Sequence, residues 1–366
     1  MTKIKLGATG RRVVRYLLRT LLVLLTVVAL LVGALAVTLN LIFNGPSPSA
    51  RDVLTMSLLE ASATKWIPGL FLGQAKVEEI RARIDAPLPE EFSNASQITI
   101  TSGTSADNSS EWEGHPDGIR IESISGDTYD AHVMIVRDPS TVYLATSTDH
   151  FSINTPGTRI NHQIETEGAI AAVNAGAFND DGTSNSYVGS LPVGMVVSEG
   201  KIVWDDGQNY EGFVGFNEDN VLVVANSMDK QRVKELKIRD GCCFGPVLLM
   251  NGVVNQVEYS ANSGYNPRTA IGQRADGAII FVCIDGRQVG SLGGTYSDLI
   301  NIMVEYGAVN ACNLDGGSSS VMLYRDSQGL YGDAGEVVMI NSYSLLQKDP
   351  RRMPTFFMVK APESEG

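Results

Sequence analysis

Cysteine is scarce in this chain, with four in 366 residues. That is too few for a disulfide scaffold, and no C-x-x-C pair or His/Cys cluster has the spacing of a zinc site. Structural zinc is not expected, and nothing points to a cofactor. Cys242 and Cys243 are adjacent, which allows a strained vicinal disulfide or two separate fates. Cys283 and Cys312 fall in apolar runs and read as small buried thiols, with a disulfide open to them outside the cytoplasm. Histidine is equally rare: His115, His132, His150 and His162 all lie outside the glycine-rich polar turns described below. This argues against a Ser-His-Asp hydrolase. His162, on a predicted helix just ahead of one such turn, is the histidine expected to come nearest, although a surface helix position is the commoner case.

Cations are short everywhere except at the start. Residues 1–19 hold Lys3, Lys5, Arg11, Arg12, Arg15 and Arg19 and no acid. Of 28 basic and 41 acidic residues, 22 and 41 therefore remain beyond them, a net of −19 over residues 20–366. Such an acidic body does not bind nucleic acid by charge, and an anion site on it must be a local pocket with few, well-placed cations. Thr20 to Phe43 then runs 24 residues without a charge, long enough to cross a bilayer and longer than the apolar core of about 7 to 15 residues in a cleaved signal peptide. Gly33 to Ala36 offers small residues, but the apolar stretch continues past them. The pattern predicts a basic cytoplasmic segment at 1–19, a transmembrane signal-anchor at 20–43, and everything after Phe43 on the extracytoplasmic side of the cell membrane as a single-pass protein.

Asn44 to Ala50 (NGPSPSA) is a hinge, followed by helix-compatible stretches at 52–59 and 74–84 and a Ser/Asn-rich segment at 93–114 carrying one short strand at 97–101. Residues 44–117 are read as stalk and linker, and a chain of residues 96–366 is expected to fold by itself. The globular domain is expected over 118–362, enough for one sizeable core. Strand-like runs occur at 132–136, 142–145, 169–173, 194–197, 221–225, 279–284 and 308–314, with helices at 159–167 and 295–306. The fold class is α/β in the mixed α+β sense: a mixed β-sheet core with flanking helices. Gly168 to Asn174 (GAIAAVN) and Gly307 to Asn313 (GAVNACN) share glycine, alanines and a final asparagine. A diverged duplication explains this, as does the common use of small residues where a helix turns into a buried strand. If the two strands are neighbours, Asn174 and Asn313 face one pocket at the edge of the sheet.

The densest chemical signal is Asn313 to Ser320 (NLDGGSSS), where an apolar strand ends in an amide, a carboxylate, two glycines and three hydroxyls. Gly316 and Gly317 permit positive φ and bare backbone N–H groups, so the loop can hold an anion while Asp315 stays close to the reacting atom. Asp-Gly alone reads equally well as a tight turn. Three other apolar runs end in the same manner: 171–178 (AAVNAGAF), 266–272 (NPRTAIG) and 279–287 (IIFVCIDGR).

In this order the four segments resemble the phosphodiester glycosidase family, over roughly residues 125–360. Ser318 stands where many relatives carry a third glycine. The resemblance implies a glycosidase that cuts a sugar from phosphate in a phosphate-containing glycan or exopolysaccharide, and the N-terminal span is what places it outside the cytoplasm. That reaction needs stabilisation of an oxocarbenium-like centre, a carboxylate or water at the anomeric carbon, and neutralisation of the departing phosphate. Asp285 and Asp315 are the candidate carboxylate pair. A phosphate monoester leaves more readily than a sugar alkoxide, so Arg268 and Arg287 are candidates to hold its oxygens. Asn174, Gly176, Asn313, Gly316, Gly317, Ser318 and Ser319 complete the expected substrate pocket. Structural alternatives stand beside these roles: Arg268 packed on Tyr265 and paired with an acid, Arg287 a solvated loop cation, Asn174 a helix cap. A non-catalytic phosphoglycan-binding or exopolysaccharide-assembly protein is the other class of function, and two carboxylates beside two arginines favour the enzyme, since holding an anion does not call for them.

The charge pattern yields a test of topology. Protease added to intact cells is expected to remove the chain beyond Phe43 from a protein that is membrane-bound before treatment. Full release of a chain beginning near Ala36 would contradict the anchor.

Overall fold

The computed structural model describes residues 8–59, 64–84, 92–100, 111–179, 188–208, 210, 212–254, 264–343 and 349–361. Lys3, Lys5, residues 101–110 of the expected linker and the last position of the expected domain, 362, lie outside the described residues.

Three antiparallel sheets meet around one core. The largest has seven strands in the order β1 (Ile119–Ser125), β2 (Asp130–Val136), β14 (Ile279–Ile284), β13 (Arg268–Arg274), β15 (Ala308–Leu314), β11 (Val247–Met250) and β12 (Val253–Val254). A five-stranded sheet runs β7 (Lys201–Asp205), β6 (Met195–Ser198), β10 (Ile238–Cys242), β8 (Phe213–Asn217) and β9 (Leu222–Ala225). The third runs β17 (Val337–Met339), β16 (Met322–Arg325), β5 (Ala171–Asn174), β19 (Thr355–Val359) and β3 (Val142–Thr146), and β18 (Arg352–Met353) pairs with β4 (Thr158–Arg159). Among the described residues the helices are α1 (Ala8–Phe43), α2 (Pro48–Leu59), α3 (Ile67–Leu72), α4 (Gln74–Ile84), α5 (Ile160–Glu167), α6 (Lys230–Glu235) and α7 (Tyr296–Glu305). The architecture is α+β, as expected. One phenyl ring from each sheet meets at the centre: Phe357 lies 6.1 Å from Phe216 and 6.4 Å from Phe281.

The seven-stranded sheet is covered on both faces, which is why β14 (IIFVCI) is apolar throughout rather than alternating. Ile279, Phe281 and Cys283 point to the other sheets, while Ile280, Val282 and Ile284 pack under Leu299, Ile300 and Met303 of α7. This alternation decides below which polar residues share a face. α7 starts with a capping box in which Thr295 accepts from Asp298 N (3.2 Å) and Asp298 accepts from Thr295 N (2.7 Å).

The two similar segments adopt the same local form, a helix stopped by a glycine at positive φ (Gly168, 64°; Gly307, 80°) and then a buried strand. Those strands, β5 and β15, lie in different sheets. Over the described part of the strand expected at 97–101, residues 97–100, no strand forms; Ala95–Gln97 is a single 3-10 turn capped by the Asn94 side chain, and Thr99 N donates instead to Ala275 O.

The helices read as a stalk contribute to the core. Met56 and Ile80 are buried in the α7-side cluster with Trp112 and Leu299, and Tyr265 N donates to Ser57 Oγ at 2.8 Å. Ile80→Ala is expected to cost roughly 2–5 kcal/mol, read as a lower Tm of residues 44–366, and a chain starting at residue 96 is expected to melt earlier or aggregate. An unchanged Tm in both would return these helices to a free stalk.

Candidate active site

The site forms where β14, β15, β5 and the start of β13 end together. β14 runs out at Asp285-Gly286, and the chain turns at Arg287, a non-glycine residue at φ 57° whose N–H donates to Leu292 O (3.1 Å). Asp285 continues the inner row of Phe281 and Cys283 and is 4% exposed. Both its carboxylate oxygens accept from Ser342 N, at 3.0 and 3.2 Å, which ties β14 to the loop after β17. Ser291 Oγ donates to its carbonyl at 2.8 Å.

Arg268, Asn313 and Asp315 follow the other row, since Ala270 and Ala311 of that row face α7 and Ala270 pairs with Asn313. Arg268 is accordingly stacked 4.0 Å over the Tyr296 ring, not on Tyr265, and donates to Gly294 O (2.6 Å) and Gly264 O (2.9 Å). Asn313 donates through Nδ2 to Gly245 O at 2.9 Å. Asp315 follows Leu314, with its Oδ1 accepting from Gly316 N at 2.9 Å. Asp285 and the Arg268–Asn313 pair therefore occupy opposite faces of the sheet.

Asn174 does not face a pocket with Asn313. It is fully buried at the end of β5 and acts as a clamp: Oδ1 accepts from Thr269 Oγ1 (2.8 Å) and Val321 N (3.2 Å), and Nδ2 donates to Asp315 O (2.5 Å). Asp315 N donates to Ala175 O (3.0 Å), closing the same junction. Gly176 lets the chain pass Cys242, where a Cβ would come within 2.8 Å of the Cys242 Cβ. All ladders here are antiparallel, so this junction of sheet ends is not the switch point of a parallel sheet.

The NLDGGSSS loop is a 3-10 turn over Gly317–Ser319. Its N–H groups are not bare as expected: Gly316 N donates to Asp315 Oδ1, Gly317 N to Pro267 O (2.8 Å), Ser319 N to Gly316 O (3.1 Å) and Ser320 N to Gly317 O (3.3 Å). Gly317, at φ 63°, leaves room for Arg287 to lie across the loop, since a Cβ there would press on Arg287 Nη1 at 3.2 Å.

Asp285, Arg287, Gly317 and Ser318 come together in one cleft of about 140 Å³, with Pro267, Ser320, Asn341, Ser342 and Tyr343. Arg287 Nη2 donates to Asn266 Oδ1 (2.8 Å) at its rim. Asn266 Nδ2, Asn313 Oδ1, Ser319 Oγ and Ser320 Oγ are buried without a hydrogen-bond partner at these strand ends. Orphaned buried polar atoms are costly, and Ser320 Oγ, which belongs to the cleft lining, is placed to meet a polar ligand there, whereas Asn313 lies on the opposite face of the sheet. Tyr343, Ser342 and Arg351 carry no sequence motif. Burial pushes the Tyr343 phenol up, keeping it a donor, and it donates to Ser318 O at 2.5 Å. Arg351 donates to Ser318 Oγ (3.1 Å) and lies 4.7 Å over the Phe178 ring.

The histidine near the site is His132, not His162. His132 Nε2 stands 3.7 Å from Asp285 Oδ2 and Nδ1 lies 3.0 Å from Ser123 Oγ, because His132 pairs with Cys283 two residues before Asp285. His162 is exposed on α5 beside Thr166. All four cysteines are free and buried. Burial pushes the Cys243 thiol up to about 11 and raises those of Cys242, Cys283 and Cys312 as well, so none is a ready nucleophile. Among the described residues no group of three His, Cys, Asp or Glu side chains suits a metal ion. The arrangement offers a carboxylate, flanking guanidinium groups and hydroxyls in a partly enclosed cleft, a set suited to a charged, hydroxylated substrate.

The chain is 28% identical over 160 residues to the SPbeta prophage-derived uncharacterized protein YomE of Bacillus subtilis, which is 42% of this chain but spans only 24% of YomE's length. Its fold is shared with the catalytic domain of zebrafish N-acetylglucosamine-1-phosphodiester alpha-N-acetylglucosaminidase at a TM-score of 0.50 and 20% identity, covering 67% of this chain and 82% of that one. Residues 167–360 match the phosphodiester glycosidase family. That span opens at the end of α5 and closes just after β19, taking in every strand end that builds the cleft, and the chain belongs to the phosphodiester glycosidase family.

Proposed function

We propose that this protein is a membrane-anchored extracytoplasmic glycosidase that hydrolyses sugar-1-phosphodiester linkages in phosphate-containing glycans. The reading rests above all on one observation: the Asp285 carboxylate and the Arg287 guanidinium line the same cleft, with Ser318, Ser320 and Tyr343 around them. The family supports a glycosidase-type reaction. Membrane attachment is supported by Tyr16–Phe43, a 28-residue stretch of α1 whose most apolar 18 residues have mean hydropathy 2.8 and no buried side chain, behind a cationic start.

In the proposed reaction a water oxygen becomes bonded to the anomeric carbon and the bond from that carbon to the phosphate oxygen breaks, its electron pair leaving with the phosphate monoester. Asp285 acts at the anomeric carbon, by taking the water's proton or by bonding transiently to the carbon. Arg287 meets the charge that grows on the departing phosphate. Asp315 follows the row opposite Asp285 and is not among the residues lining the cleft, so it is proposed as the second carboxylate on the family resemblance alone. Asn174 and Asn313 hold the loop that carries it, and Arg268, its guanidinium engaged by two carbonyls and a ring, is assigned to the wall of the site.

The test is incubation with a panel of sugar-1-phosphodiesters, following free sugar and phosphate monoester. Asp285→Asn and Asp315→Asn keep shape and lose charge, so each is expected to lower kcat by about 10²-fold or more with Tm little changed. Arg287→Ala is expected to lower kcat more than it raises KM, because the charge it meets develops in the transition state. Wild-type turnover in both carboxylate variants would remove them from the chemistry. Retention of phosphoglycan without release of sugar by the wild-type protein would put the non-catalytic binding reading ahead.

A further inference from the structure

We infer that α3 is a second membrane contact, an interfacial element that lies in the extracytoplasmic headgroup layer and fixes the catalytic domain against the lipid surface. The inference rests on the reading of α1 as a membrane span. Residues 65–72 read KWIPGLFL. Trp66 is 60% exposed and Leu70 70% exposed, an unusual outlay of apolar surface on so short a segment. Its position relative to α1 identifies what meets it. Phe43, the last residue of the span, is buried against this element, its ring stacked on that of Phe71 at 5.1 Å between centroids.

The length of the span sets the depth. A helix of 28 residues is about 42 Å long at 1.5 Å per residue, against a hydrocarbon core of about 30 Å. The last turns of α1, and the element stacked on its end, therefore fall at the boundary between acyl chains and headgroups. Tryptophan and a snorkelling lysine are the side chains that settle there, and Trp66 follows Lys65. Local charge agrees: between Glu60 and Glu78 the only charged residues are Lys65 and Lys76, in a chain otherwise strongly acidic. An anionic or zwitterionic lipid surface fits such a patch.

The contact has a consequence for the cleft. α2 packs with α1 and α3, and its Ser57 Oγ accepts from Tyr265 N at 2.8 Å, two residues before Pro267 in the cleft wall. The wall is thus braced against an element held in the membrane surface.

The experiment uses the full chain reconstituted in phosphatidylcholine/phosphatidylglycerol vesicles, with lipids brominated at the 6,7 or the 11,12 acyl positions as contact quenchers of tryptophan. The remaining tryptophans are Trp112 and Trp204, both in the folded body. The wild-type protein is expected to show a quenchable component, stronger with the shallow 6,7 bromines, that is lost in Trp66→Phe. Resistance to alkaline carbonate extraction reports the span separately. A chain that resists extraction but shows the same quenching in wild type and Trp66→Phe overturns the inference and leaves the anchor standing. A chain removed by carbonate overturns the anchor and the inference with it.

Discussion

One buried amide holds the site together. Asn174 receives a hydroxyl from β13 and an N–H from the chain entering β16, and gives an N–H to the carbonyl of Asp315. Strand ends from two sheets have no ladder between them, so without such a bridge their last carbonyls and N–H groups would face one another unpaired in a dry interior. Removing one partner of a buried hydrogen bond leaves the others unsatisfied at a cost of about 1–3 kcal/mol each. Aspartate at this position would bring a carboxylate to the Asp315 carbonyl, so the amide, both donor and acceptor, is what the junction requires. The NLDGGSSS turn inherits its position from this clamp.

The pleat then divides the polar residues. Consecutive side chains of a strand go to opposite faces, so Asp285 emerges toward the cleft while Arg268 and Asn313 emerge under α7. Arg268 therefore ends among carbonyls and the Tyr296 ring, whereas Arg287, just beyond the strand and free of its alternation, reaches the cleft across Gly317. Two arginines that look alike in a linear motif are separated by register.

Much of the fold was legible. β14 and β15 are unbroken apolar runs, and α5 and α7 have clean helical periodicity ending in glycine. β13 was hidden although it sits at the centre of the largest sheet, because its sequence RTAIGQR is polar at both ends. Gln273 is fully buried there, accepting from Leu222 N (2.6 Å) and donating to Asn220 O and Gly277 O (both 3.0 Å), so a polar residue serves as a connector between sheets. Asp285, Arg287, Gly317 and Ser318 could be read as a cleft from their strand-end glycines. Ser342, Tyr343 and Arg351 could not, since they reach it by tertiary packing from a segment without motif or period. His132 was legible in principle, its pairing with Cys283 following only once the neighbour of β14 is known.

An acidic body with a few local guanidinium groups suits a substrate that diffuses in without long-range attraction and is recognised at short range. The central claim is that the bond cut in this cleft is the one between anomeric carbon and phosphate oxygen. Hydrolysis of a sugar-1-phosphodiester in ¹⁸O-labelled water tests it most directly. The account predicts label on the anomeric hydroxyl of the released sugar and none in the phosphate monoester. Label in the phosphate monoester would mean attack at phosphorus and would contradict it.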